Sequence, residues 1–253
     1  MTQIIQGDCL EALHGMPDNS IDMIFTDPPY GHSNNDGDLI HNWEAALGRP
    51  KPAASEARPI ANDKPEEANA LVRKFFTEAE RLLKPGSCCC CCCCCGGGGP
   101  DPQFARWSLW LDEAFRGGFK QMVVWDKGPM GMGWHYRRSY ETILVAQKNG
   151  AACKWYSKRK DVENVIRYHS GYGKIIPNKT QHPTEKPSQL AGFFIRLHSQ
   201  RGDTVLDPFA GSGSTGEAAN FEGRNSILIE LKPEYCEMAK QRTAQQGLFA
   251  RTA

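Results

Sequence analysis

Two short loops hold the residues whose types and spacing suit chemistry. The first is Thr26-Asp27-Pro28-Pro29-Tyr30-Gly31, directly after the apolar run Ile21–Thr26. Asp27 supplies a carboxylate that accepts hydrogen bonds from an amino group. Pro28 and Pro29 fix φ and stiffen the backbone. Tyr30 offers a flat face on which a planar ring can stack. A rigid acceptor beside a stacking platform suits an exocyclic amine on an aromatic ring, so Asp27, Pro28, Pro29 and Tyr30 are the catalytic candidates. The plainer reading of D-P-P-Y alone is a proline-rich turn capped by an aspartate.

The second loop is Asp207-Pro208-Phe209-Ala210-Gly211-Ser212-Gly213-Ser214-Thr215-Gly216. It follows a strand and opens a helix. Its glycines permit a tight turn and close approach of a ligand to the backbone. The helix start supplies free N–H groups for a carboxylate or similar anion. Glu230, after the next strand, is placed to hydrogen-bond a ribose. Gly211, Gly213 and Gly216 also match G-x-G-x-x-G, which raises a nicotinamide-dependent oxidoreductase as an alternative. That fingerprint should open a dinucleotide fold, and only Glu217 to Ala253 follows. A nucleoside-type cofactor, with the rest of its pocket built from the N-terminal half, fits better.

The elements that must position these loops read as alternating strands and helices. Strands are expected at Ile4–Gln6, Ile21–Thr26, the cysteine run from Cys88, Gln121–Trp125, Glu141–Gln147, Thr204–Leu206 and Asn225–Glu230. Helices are expected at Asp8–His14, Pro65–Leu83, Pro102–Phe115, Pro187–His198, Ser214–Phe221 and Pro233–Gln245. Helical spacing is clearest in Leu71, Val72, Phe75, Phe76, Ala79, Leu82 and Leu83. About seven strands interleaved with helices predict an α/β fold with a parallel sheet covered on both faces. The polar stretch 32–64 shows no period and reads as a mobile loop. The stretch 151–180 reads as irregular and basic. Nothing divides the 253 residues into two domains.

The bulk numbers exclude little. Hydrophobic residues make up 40%, charged residues 23%, and the net charge is +1. A balance this close to zero neither requires nor forbids a nucleic-acid partner. No basic leader with an apolar core opens the chain and no long apolar run crosses a bilayer, so a cytoplasmic protein is expected, without membrane. Eight of eleven cysteines form the run Cys88 to Cys95; Cys9, Cys153 and Cys236 stand apart. Adjacent residues of a strand face opposite ways, which disfavours bridging within the run. A buried strand of small apolar side chains in a reducing compartment is the reading preferred, with metal and redox roles as alternatives. His32, His135, His169 and His182 share no ligand spacing, and no metal is expected.

In this order the two loops resemble the beta group of DNA amino-methyltransferases, in which D-P-P-Y precedes the glycine-rich cofactor loop. The likeness extends along nearly the whole chain. Gly7-Asp8-Cys9-Leu10 with Pro17-Asp18-Asn19-Ser20-Ile21-Asp22 resembles the family's opening segment. Leu83-Lys84-Pro85-Gly86, Trp125-Asp126-Lys127, Tyr140-Glu141-Thr142-Ile143-Leu144, Gln181-His182-Pro183-Thr184-Glu185-Lys186-Pro187 and Ile227 to Tyr235 are similar to its later segments. The resemblance implies a Rossmann-like, seven-stranded mixed sheet with one reversed strand near the edge, in a circularly permuted motif order, and S-adenosylmethionine as cofactor. It implies that Asp27 and the Pro28 carbonyl accept from the target amine while Tyr30 stacks on a flipped base. Phe209, Gly211 and Gly213 would wrap the cofactor's methionine portion, and Thr184 and Lys186 would hold its carboxylate end. Glu230 would bind the ribose and Asp8 the adenine amine. Cys9, Asp27, Asp207, Ala210 and Ser212 complete the cofactor side. The polycysteine strand departs from the family's aliphatic run, and reductant-free storage is expected to lower activity.

The implied activity is methyl transfer to adenine N6 in duplex DNA. Asp27 in the first position favours adenine, since a serine there more often marks cytosine N4 enzymes; that is a tendency, and cytosine N4 is the alternative. A catalytically silent DNA-binding module is a third reading, and a homodimer is left open. Target recognition in this group sits before the cofactor loop, here 151–180. That stretch holds seven Lys and Arg against two acids, with Trp155, Tyr156, Tyr168 and Tyr172 interleaved. Cations for phosphate with aromatics for bases suit nucleic acid, although a solvated basic loop has the same composition. Lys154, Lys158, Arg159, Lys160 and Arg167, with Arg137 and Arg138, are the expected DNA contacts.

Overall fold

A computed structural model describes residues 1–31, 64–93, 103–128, 139–167 and 185–245. The order is β1 (Thr2–Gln6), α1 (Cys9–His14), β2 (Ile21–Thr26), α2 (Pro65–Leu82), β3 (Leu83–Cys93), α3 (Gln103–Ala114), β4 (Phe119–Asp126), β5 (Tyr140–Gln147), β6 (Val165–Arg167), α4 (Ser188–His198), β7 (Thr204–Asp207), α5 (Ser214–Phe221), β8 (Asn225–Glu230) and α6 (Pro233–Gln245).

The strands form one mixed sheet in the order β1-β8-β7-β2-β3-β5-β4-β6. Only β5 runs against its neighbours; β4 and β6 pair parallel beyond it. The sheet thus has eight strands rather than the expected seven. The addition is β6, three residues within the stretch read as irregular. A Val-Ile-Arg triplet is too short to show a period. It becomes a strand because the open side of β4 offers unpaired backbone groups, and Val124 to Asp126 accept it residue for residue. The reversed strand is third from that side.

The central strands are buried on both faces, as crossover helices require. Every residue of β2 is buried. Side chains of β3 alternate between two cores. Cys89 and Cys91 join Phe75, Phe76, Trp107 and Leu111 under α1, α2 and α3. Cys90 and Cys92 join Phe25, Leu190, Phe194 and Ala219 under α4 and α5. The buried-strand reading of the cysteine run therefore holds for Cys88 to Cys92, none more than 1% exposed. Burying each of Phe75, Phe76 and Phe194 contributes roughly 2–3 kcal/mol relative to exposure. The Phe, Trp and Leu side chains on the two faces of β2 and β3 are what fix the helices over the sheet.

Because all strands but β5 share a direction, their carboxyl ends meet at one end of the sheet. Asp27 follows β2 there, Asp207 closes β7, Glu230 closes β8, and Glu141 lies at the start of the reversed β5. Among the described residues no helix is long and apolar enough to cross a membrane. The expected loop at 32–64 lies outside the described residues except for Lys64, which precedes α2.

Candidate active site at the carboxyl ends of the strands

A cleft opens at this end of the sheet. It is lined by Asp8 and Cys9 from the β1–α1 junction, Asp27 to Tyr30 after β2, Glu185 and Lys186 before α4, Asp207 to Ser212 after β7, and Glu230 after β8. Two loops nearly 180 residues apart in sequence thus face each other across one cavity, as strand-end ligand sites do.

Asp207 ties the two loops together. It is 3% exposed, accepts from Thr26 Oγ1 at 2.7 Å and Thr215 Oγ1 at 2.6 Å, and takes the Phe209 N–H at 3.1 Å. One carboxylate therefore fixes the exit of β2, the turn after β7 and the first turn of α5. Burial pushes its pKa up to about 6 against the pull of those three donors. Glu230 braces the glycine loop in a similar way, accepting from Gly211 N–H and Lys232 N–H, each at 2.9 Å. Burial raises its pKa.

Asp27 sits in a buried charge network. Lys186 Nζ lies 2.7 Å from Asp27 Oδ2 and 3.3 Å from Glu141 Oε2, and Lys127 Nζ lies 2.8 Å from Glu141 Oε1. Tyr30 donates its hydroxyl to Asp27 Oδ1. Burial raises the Asp27 pKa above its ordinary 3.8; Lys186 opposes this and Glu141 adds to it. Burial likewise acts to raise Glu141, but Lys186 and Lys127 outweigh it and hold Glu141 down. For Lys186, burial favours the neutral amine, yet two carboxylates keep the ammonium charged well above its usual range. The Tyr30 ring has Lys186 Nζ 5.2 Å from its centroid and Trp107 at 6.1 Å.

Most of the residues expected at the site meet in this cleft. Asp8, Cys9, Asp27, Pro28, Pro29, Tyr30, Lys186, Asp207, Phe209, Ala210, Gly211, Ser212 and Glu230 all line it. Several hold posts that sequence did not foretell. Asp8 caps α1, accepting from Leu10 N–H at 2.9 Å and Glu11 N–H at 3.1 Å. Cys9 is a neutral thiol, pushed up to about 12 by burial and then by Asp8. Lys186, expected at a cofactor carboxylate, is engaged with Asp27 and Glu141. Gly213 is not among the lining residues: it precedes α5 with φ of 83°, and a Cβ there would stand 2.8 Å from the Ala239 methyl. Gly216 meets Leu228 in the same way, at 2.6 Å. Two glycines of the G-x-G-x-x-G match thus serve helix packing. Thr184, Arg137, Arg138 and the four histidines at 32, 135, 169 and 182 lie outside the described residues.

Glu141 was missed. In the sequence it is one of three polar positions, with Thr142 and Gln147, in the expected strand Glu141–Gln147, and only the structure shows that this carboxylate is 9% exposed on a core strand. The basic stretch from 151 divides. Lys154 pairs with Asp22 at the start of β2, 3.6 Å away. Trp155 rests edge-on against His198 at the end of α4 and donates to the Arg159 carbonyl at 2.7 Å. These contacts hold Lys154 and Arg159, with Lys158 and Lys160 beside them, toward the amino ends of the strands. Arg167 instead ends β6 at the cleft's end of the sheet, 59% exposed and 3.8 Å from Asp126.

Residues 21–241 match a family model of DNA methylases, the N6/N4 methyltransferases, and the chain belongs to that family. This membership favours the methylase reading of the glycine loop over the nicotinamide one. The chain is 27% identical to the type II methyltransferase M2.DpnII of Streptococcus pneumoniae, over 94% of its own length and 88% of that protein's. It is equally identical to M2.MboI of Moraxella bovis, over 94% and 86%. Among solved structures, a complex of M1.HpyAVI with SAM matches at 27% identity and a TM-score of 0.63, covering 96% of this chain and 98% of that one. The cytosine-N4-specific PvuII DNA methyltransferase has the same fold, with a TM-score of 0.67 at 20% identity over 95% and 86%.

Proposed function

We propose that this chain transfers the methyl group of S-adenosylmethionine to the N6 amine of adenine in duplex DNA, as the modification enzyme of a restriction–modification system. The observation that carries the reading is the half-buried Asp27 carboxylate, held beside Tyr30 by Lys186 at the mouth of a cleft whose other wall is the glycine loop.

The cleft suits a nucleoside sulfonium. Glu230 would hold its diol, Asp8 and the apolar wall of Cys9 would meet its adenine, and Phe209, Ala210, Gly211 and Ser212 would line its methionine portion. When bound, S-adenosylmethionine supplies a methyl group already activated as an electrophile. The residues around it do the rest. The target amine is a poor nucleophile because its lone pair is delocalised into the ring. Asp27 and the Pro28 carbonyl accept its two hydrogens and favour a more tetrahedral nitrogen. Asp27 accepts best when ionised, and Lys186 opposes the burial that favours its neutral form. Pro28 and Pro29 hold the acceptors still, so the geometry needs no reorganisation. Tyr30 lies beside the acceptor, where a flipped base would stack.

Of the expected DNA contacts, Arg167 is placed to meet phosphate beside the cleft, with Arg137 and Arg138 of the segment before β5 as further candidates. Lys154, Lys158, Arg159 and Lys160 stand toward the other end of the sheet, away from the cleft. Adenine is preferred to cytosine because Asp27 occupies the first position of the catalytic loop.

Nucleoside mass spectrometry on unmethylated duplex DNA with S-adenosylmethionine tests the reading. N6-methyladenine with the wild type, falling about a thousandfold with Asp27→Ala, is the expected result. N4-methylcytosine would keep the reaction and replace the base. No methylated base, despite cofactor binding, would overturn the proposal.

A further inference from the structure

At the opposite end of the sheet, three metal-ligating side chains converge that the cleft does not use. Cys88 opens the evenly paired part of β3, across from Gln147 of β5. Cys153 lies in the segment after β5, whose backbone is clipped to β3 by Lys154 N–H on the Gly86 carbonyl at 2.9 Å. His198 ends α4. Their ligand atoms all lie within 4.8 Å of one another.

We propose that Cys88, Cys153 and His198 form a binding site for a zinc-class divalent cation, with a water molecule in the fourth position. Two thiolates on one tetrahedral zinc, with bonds of about 2.3 Å, stand about 3.8 Å apart. Cys88 Sγ and Cys153 Sγ are 3.9 Å apart. The imidazole gives an independent indication. His198 is 5% exposed, and its Nδ1 is buried with no hydrogen-bond partner among the described residues. A buried nitrogen left without a partner carries a cost that a second-shell or direct ligand bond removes. Thiolate and imidazole donors select zinc over magnesium or calcium, which take oxygen. Cys88 and Cys92 side chains share a face with α4, so the strand's alternation is what aims Cys88 at His198. Cys153 is exposed, which leaves an entry path and room for a solvent ligand.

The site is remote from the cleft, so its occupation is independent of the methyl-transfer reading. Its effect would be to staple the end of α4 and the segment after β5 to the amino end of β3.

Full-length protein, kept reduced with a phosphine and stripped of metal, is titrated with Zn²⁺ and separately with Co²⁺. Elemental analysis after desalting and near-ultraviolet thiolate-to-cobalt absorption give the readouts. We expect one tightly held ion per chain, tetrahedral cobalt bands and a melting temperature that rises with Zn²⁺. Cys153→Ser, at an exposed position, should weaken binding about 100-fold while melting as the metal-free wild type does. His198→Gln should weaken it while keeping the thiolate band. No retained metal, or Cys153→Ser binding as tightly as the wild type, would overturn the proposal; the latter would put the ion elsewhere on the cysteine run. A Cys88–Cys153 disulfide that persists under the phosphine, found by peptide mass, would overturn it too.

Discussion

The two ends of the sheet use charge differently. At the carboxyl ends, Asp27, Lys186, Glu141 and Lys127 form one connected buried network, and Asp207 and Glu230 spend their acceptors on loop backbones and hydroxyls. At the amino ends, Asp22 takes Lys84 at 2.7 Å, Lys154 at 3.6 Å and the Thr204 N–H at 3.1 Å, joining β2, β3 and β7 without facing a cavity. The first arrangement sets a cation against the burial that favours a neutral acceptor. The second only clamps strands. The same residue types therefore carry different consequences according to which end of a strand they occupy.

The sharpest way to break this contrast is Lys186→Met. It strands two carboxylates beside each other in a buried place, which costs about 3–5 kcal/mol of stability. It also removes the cation that opposes burial at Asp27, so the Asp27 pKa rises further. Activity is lost as pH falls through that pKa, and the acid limb of the pH–rate profile should move to higher pH. A limb that stays put while the melting temperature drops would make Lys186 purely structural.

Asp207→Ala should cost about 2–4 kcal/mol by orphaning Thr26, Thr215 and the Phe209 N–H, and should weaken cofactor binding with it. Its raised pKa has a further consequence. The protonated form is favoured in the fold, so this group's contribution is fullest below pH 3.8 and fades as pH rises through about 6. In Asp207→Asn that part of the pH dependence of unfolding should disappear.

Asp22→Ala is the matched change at the other end. Loss of about 1–2 kcal/mol in urea unfolding is expected, with kcat unaltered. A fall in kcat would show that the two ends are coupled. The smallest effect separates the basic residues. Arg167→Ala should lower the salt dependence of DNA binding by about one unit of slope, whereas Arg159→Ala should leave it unchanged. Equal effects would return the whole stretch to the DNA side.

Much of this was legible in sequence, for physical reasons. Predominantly apolar runs such as Ile21–Thr26 announce strands covered on both faces, and the Leu71–Leu83 spacing announces a helix. Asp27 and Glu230 were legible because strand ends in parallel sheets carry sites. What stayed hidden depends on pairings distant in the chain. Lys186 shows its charge in the sequence but not its partner, because Glu141 is brought to it only by the reversal of β5. Val165–Arg167 becomes a strand only because β4 has a free side. Cys88, Cys153 and His198 have no spacing to recognise, since a strand, a loop and a helix end supply one each. Lys154 and Arg159 read as a DNA-binding run by composition, and only the contact of Trp155 with His198 shows which way the run faces.

The polycysteine strand poses a problem of information. A stretch of identical side chains cannot say which of its residues should stand opposite Met23 or Gln147, because sliding by one or two positions offers each core the same atoms. The correct alignment must be selected from outside the run. Clips at its beginning do this: Gly86 N–H on the Lys148 carbonyl and Lys148 N–H on the Ser87 carbonyl, both at 2.9 Å. A chain collapsing before those clips close meets several nearly degenerate alignments, so slow phases in refolding should originate here. Replacing alternate cysteines with the larger valine or isoleucine would remove that degeneracy, at the cost of overpacking a fully buried strand.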